Sequence, residues 1–231
     1  MNRFIIRLVV FAIVMIVLGE IIVRYYKLTS DIPRRFIDET GIQRYSPGQT
    51  GYFKGCDTKW KVNEYGWVGI AEVDSDNTIA VIGDSYIENM MNPISCNQGV
   101  ILKSYFKDYA FFEAARSGVT FIEGMEITRL LDSIIQPKYY LIYVSSNDFY
   151  ESLSNKTRYT DRLQIDLNSS KVLKANLKSP IIKNMLYNFK LLYYLYLRFP
   201  LFVSEQNKGE ALVSEQSKKV FDYLSFKRLW L

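Results

Sequence analysis

The chain has 231 residues, 48% of them hydrophobic and 23% charged, which suits one α/β domain with an appendage. Its net charge of +5 is spread over 29 basic and 24 acidic residues, too mild and too dispersed for a nucleic-acid partner. It holds two cysteines and no histidine, and so lacks the usual general base and the commonest zinc ligand.

From Phe4 to Val23 the chain is apolar except for Arg7, Gly19 and Glu20. About 20 such residues match the thickness of the hydrocarbon layer. A secretory signal peptide competes with this reading, but no small-x-small cleavage site follows, and residues 1–28 read as an uncleaved signal anchor. Tyr25 and Tyr26 then stand at the interface. Basic residues flank both ends (Arg3 and Arg7; Arg24, Lys27, Arg34 and Arg35), and flanking charge does not choose an orientation.

Residues 29–77 read as a lead-in, irregular from Thr29 to about Gly69, with Pro33, Pro47, six glycines and no sustained period. Its Trp60, Tyr65 and Trp67 predict that it lies against the domain. Cys56 falls here and Cys96 in a second loop, Asn92 to Gly99. The two could pair if the domain lies outside the cytosol.

The domain proper is predicted over residues 78–231. Ile79 to Ile82, bounded by turn-forming residues, reads as a buried parallel strand that ends in Gly83-Asp84-Ser85. Short helices are expected over Tyr86 to Met91 and Val100 to Asp108. A second strand is expected over Tyr109 to Ala114 and a turn at Arg116-Ser117-Gly118. Apolar residues at helical spacing run from Thr120 to Ile135, and Tyr139 to Val144 (YYLIYV) is a third strand before Ser146-Asn147-Asp148. Strand, helix, strand, helix, strand is the grammar of a doubly wound parallel sheet.

An insertion is expected at about 160–202. Arg162 to Leu167 and Val172 to Leu177 form a hairpin around Asn168-Ser169-Ser170-Lys171. Ile181 to Phe202 reads as one long aromatic helix whose only charges are Lys183, Lys190 and Arg198. It either packs as an aromatic-rich helix of the domain or lies on a membrane surface. Ser204 to Lys219 reads as polar linker and Val220 to Leu231 as an amphipathic helix.

Gly83-Asp84-Ser85, Gly118 and Asn147-Asp148 together resemble the first three sequence blocks of the SGNH/GDSL hydrolases. Gly118 follows Ser85 by 33 residues and Asn147 follows Gly118 by 29, one crossover unit each. The resemblance implies a flavodoxin-like three-layer fold with Ser85 as nucleophile. It also implies an oxyanion hole of the Ser85 N–H, the Gly118 N–H and the Asn147 amide. The anchor, the lead-in containing Asn63-Glu64-Tyr65-Gly66-Trp67, and then the GDS look like the anchored SGNH proteins of bacterial envelopes. For that type the resemblance implies a single-pass membrane protein with an extracytoplasmic domain. It implies an esterase or O-acetyltransferase acting on acylated envelope polysaccharide alongside envelope-assembly proteins.

The chain departs from that family at its last block, D-x-x-H, which supplies the catalytic Asp and His. Strands four and five of a 2-1-3-4-5 sheet are also not recognised after Asn147. Val220 to Leu231 resembles the helix that would precede a fourth strand. The expectation is therefore a truncated or catalytically silent copy with the third strand left as an edge. The alternatives are a relative that binds glycan or an assembly partner without catalysis, and a generic anchored α/β domain in which Gly83-Asp84-Ser85 and Ser145-Ser146-Asn147-Asp148 are structural caps. No motif supports a metal or nucleotide cofactor.

Overall fold

The computed structural model describes residues 2–156, 158–177 and 180–199. Helix α1 (Asn2–Tyr25) is the apolar N-terminal segment; Arg3–Tyr25 is long and apolar enough to cross a membrane, and its window of highest hydropathy has no buried residue. The lead-in is more regular than expected. It forms two antiparallel hairpins, β1 (Arg35–Ile37) with β2 (Gln43–Tyr45), and β3 (Thr50–Tyr52) with β4 (Lys59–Lys61). Their three-residue strands are too short to show a period, but the face pattern is clear: in Lys59-Trp60-Lys61 only Trp60 is buried. Tyr45, Trp60, Val62 and Val68 form a small core of their own, while Ile42 and Trp67 enter the main one, as the aromatic content of the lead-in predicts.

The centre is a three-stranded parallel sheet of β5 (Thr78–Gly83), β6 (Ala110–Ala115) and β7 (Tyr139–Ile142), in the order β6-β5-β7. Between β5 and β6 lie α2 (Ser85–Glu88), a 3-10 turn (Ile94–Cys96) and α3 (Gln98–Tyr105); α4 (Phe121–Ile134) joins β6 to β7. Ala80 and Ile82 of β5 pack with Ile127 and Leu131 of α4, whereas Val81 packs with Ile87 of α2 and Leu102 of α3. Alternation along one strand thus feeds two helical layers. The predicted strand–helix alternation is present, with boundaries within two residues except that α2 and α3 each end three residues earlier than expected. The third strand stops at Ile142, not Val144.

The two sheet edges differ. The lead-in closes the outer edge of β6: Ala71 forms an antiparallel bridge with Phe112, the Glu72 N–H bonds the Phe111 carbonyl, and the Glu113 N–H bonds the Ile70 carbonyl. Along β7, β5 is the one strand neighbour among the described residues, and Tyr139 and Leu141 are exposed. This is the edge the sequence predicts.

After α5 (Ser146–Glu151) comes the expected hairpin, shorter than predicted, with β8 (Gln164–Asp166) against β9 (Lys171–Leu173). The single long helix expected from Ile181 is instead two, α6 (Pro180–Asn188) and α7 (Lys190–Arg198), broken at Phe189. Phe189 is extended (φ −88°, ψ 94°), and no proline or glycine marks the break. The predicted end of that helix at Phe202, the linker and the terminal helix lie outside the described residues. Cys56 and Cys96 are free thiols, and the Cys56 thiol donates to the Met91 carbonyl.

Candidate functional site

Ser85, Gly118 and Asn147 follow the carboxyl ends of β5, β6 and β7, three neighbouring parallel strands, the edge where open α/β sheets bind ligands. Gly83 closes β5 because a Cβ there would meet Ile87 Cγ1 at 2.4 Å; only glycine lets α2 turn so tightly onto its strand. Ser85 is therefore the first residue of α2 and is exposed. Asp84 precedes it as N-cap, its carboxylate accepting the Tyr86 N–H at 3.0 Å.

Gly118 has φ +78°, the left-handed region that favours glycine, and its Cα lies beneath the Arg162 guanidinium. Asn147 is exposed on the first turn of α5. Among the described residues, the Ser85 N–H, the Gly118 N–H and the Asn147 side-chain amide have no acceptor, and the Ser85 hydroxyl has no partner. The two acids nearest these groups in sequence are engaged elsewhere. Asp84 caps α2, and Asp148 closes a capping box by accepting the Ser145 N–H at 2.6 Å.

The Gly118 loop rests on a buried polar assembly that the sequence does not reveal. Arg116 (1% exposed) pairs with the fully buried Glu123 of α4 at 2.6 Å and donates to the Ser117 carbonyl at 2.8 Å. Burial works against the Arg116 charge, but the Glu123 carboxylate outweighs it and raises the guanidinium above its ordinary value. Beside this pair, Glu88 of α2 accepts the Ser117 N–H and hydroxyl and the Tyr45 hydroxyl. Burial, reinforced by Glu88, pushes the Tyr45 phenol well above its usual value. From outside, Arg162 pairs with Glu151 of α5 and stacks on Tyr159 at 4.1 Å, which connects the Gly118 loop to the Asn147 helix. Arg116 and Glu123 are seven residues apart across a turn, and Glu88 and Ser117 are 29 apart. No spacing rule finds such pairs before the fold is known.

A sizeable cleft among the described residues lies elsewhere. It has a volume of about 640 Å³ and opens between the lead-in hairpins and the α2–α3 connection, lined by Lys59, Lys61, Val62, Asn63, Met90 and Ile94 among others; Ser85, Gly118 and Asn147 are not among its walls. No grouping of three or more His, Cys, Asp or Glu suited to a metal occurs among the described residues. Chemically, the carboxyl edge offers an exposed hydroxyl at Ser85 and uncommitted N–H donors at three strand ends. No protein-family model, no curated protein and no solved structure matches this chain.

Proposed function

We propose that this protein is a membrane-anchored acyl-ester domain of the SGNH type, with a flavodoxin-like sheet, that faces the extracytoplasmic side and engages acylated envelope polysaccharide at the carboxyl edge of its sheet. One observation carries the reading: the donors that such chemistry needs, at Ser85, Gly118 and Asn147, stand uncommitted at the ends of three adjacent parallel strands. In this reading Ser85 Oγ attacks the ester carbonyl. The oxyanion is met by the N–H groups of Ser85 and Gly118 and by Asn147 Nδ2, and the alcohol leaves. The step also requires a base for the Ser85 proton. The chain has no histidine, and Asp84 and Asp148 spend their carboxylates on caps. That observation favours a second reading, an ester-binding relative with little turnover. Loss of a triad member costs on the order of ten-thousandfold in rate.

Chemical rescue separates the two. Intact-mass measurement of the full chain after p-nitrophenyl acetate treatment should show little acetylation without a base. With added imidazole it should show acetylation at Ser85, absent from Ser85→Ala and reduced about tenfold or more in Asn147→Ala. Acetylation that ignores both imidazole and Ser85→Ala would overturn the acyl-transfer reading and leave the binding one. Steady-state hydrolysis without imidazole should stay below about a thousandth of that of a complete triad enzyme.

A further inference from the structure

Helix α7 is fastened to the end of the apolar N-terminal helix by its own first turn. The Glu20 carboxylate accepts the Lys190 N–H at 3.0 Å and the Leu191 N–H at 2.7 Å, an acid placed on a helix N-terminus. Gly19 lets Leu191 approach; a Cβ there would lie 2.9 Å from Leu191 Cδ2. Arg24 donates to the Asn188 carbonyl at 2.6 Å, and Lys190 pairs with Asp31 at 2.6 Å. The α6–α7 pair is thus held where α1 joins the domain. Away from these fastenings its apolar side chains are exposed among the described residues. Ile181 and Ile182 of α6 and Leu192, Leu195 and Leu197 of α7 are 41–81% exposed.

The apolar surface of α1 and that of α7 meet at Gly19, so a bilayer spanned by α1 continues directly onto α7. Residues 180–199 contain no acid, and Lys183 and Arg198 are exposed, the sign that anionic headgroups attract. Three tyrosines, 193, 194 and 196, stand among four leucines along the nine residues of α7, a composition suited to the headgroup level. We propose that α6 and α7 form a second, interfacial contact with the same bilayer, locked at a right place and depth by Glu20, so that the domain is held in one orientation to the membrane. The proposal rests on α1 being a membrane span.

The test is depth-dependent quenching on the full chain in nanodiscs of mixed phosphatidylcholine and phosphatidylglycerol. Single cysteines carrying an environment-sensitive fluorophore replace Leu192 or Leu195, both exposed, in a background without the native cysteines. Val14→Cys reports the span and Ser133→Cys, exposed on α4, reports the solvent side. Lipids with a quencher near the carboxyl end of the acyl chain should quench the 192 and 195 labels several-fold more than the 133 label, with a blue-shifted emission. Quenching at 14 but none at 192 and 195 would overturn the interfacial contact while leaving the anchor intact. No quenching at 14 would remove the anchor on which it rests. Energy transfer between labels at 195 on different copies, without lipid quenching, would assign the face to a second copy of the chain and overturn the proposal.

Discussion

The loops after β6 and β7 flank the same strand end yet are built in opposite ways. The loop after β6 stands on buried charge: Arg116 against Glu123, and Glu88 gathering Ser117 and Tyr45. The loop after β7 leads to α5, whose exposed first turn is closed by a capping box and whose far end is held by the Glu151–Arg162 pair and the Ser152 hydroxyl, and its strand has an open edge. Gly118 is therefore fixed in place before any ligand arrives, while Asn147 sits on the less constrained wall. Pre-set donors are those that need no reorganisation during reaction. The rigid Gly118 side is the one to attack if the site is to be dismantled, and the Asn147 side the one to alter if it is to be tuned.

The largest effect is expected from Arg116→Met, which leaves Glu123 as an uncompensated buried charge. Denaturant titration of the detergent-solubilised chain should show a loss of about 3–5 kcal/mol, or no folded protein. A loss under about 1 kcal/mol would mean that the pair does not hold the loop. Next comes Gly118→Ala. Arg162 is flexible and can yield, so the left-handed backbone decides the cost, about 1–2 kcal/mol. Amide exchange should rise at Ser117 and Gly118 and stay level in α5.

A pH titration probes the buried carboxyl of Glu113 on β6. Burial outweighs its three donors, the N–H groups of Gly99 and Ile70 and the Asn97 amide, and lifts it above the ordinary 4.5. The folded state then holds this proton more tightly than the unfolded one, so the stabilising contribution is complete below 4.5 and fades as pH rises through the folded value. The stability of the wild type relative to Glu113→Gln should shrink from pH 4.5 toward neutrality. A widening gap would show instead that the three donors keep the group ionised. The smallest effect belongs to the exposed wall: Ser85→Ala and Asn147→Ala should each change stability by less than about 0.5 kcal/mol. A larger loss from Asn147→Ala would erase the contrast between the two walls.

The features legible before folding are those written in local pattern. Apolar runs bounded by turn residues placed β5, β6 and β7, and helical spacing from Thr120 to Ile135 placed α4. What escaped depends on partners far apart in the chain. The lead-in strands are three residues long and are stabilised by Tyr45, Trp60 and Val68 meeting one another, so no period betrays them. Phe189 breaks α6 from α7 without a breaker residue, because the tertiary contacts of Glu20 and Arg24 supply the end groups that a sequence rule would seek nearby. Of the site, the motif residues could be read, but their supports Glu88, Arg116, Glu123 and Arg162 could not. Charged residues ordinarily face water, and nothing local marks these as buried or half-buried.

The bond between Glu20 and the start of α7 joins positions 170 residues apart. During synthesis, at roughly 5–20 residues per second, α1 is made some 10–30 s before its distant partner exists. Arg24, one turn on from Glu20 and 2.7 Å away, is the acid's local partner. In the folded chain the Arg24 guanidinium donates to both Glu20 and the Asn188 carbonyl and so bridges the acid to the end of α6. The contact between α1 and α7 therefore forms only after every strand of the sheet has been synthesised.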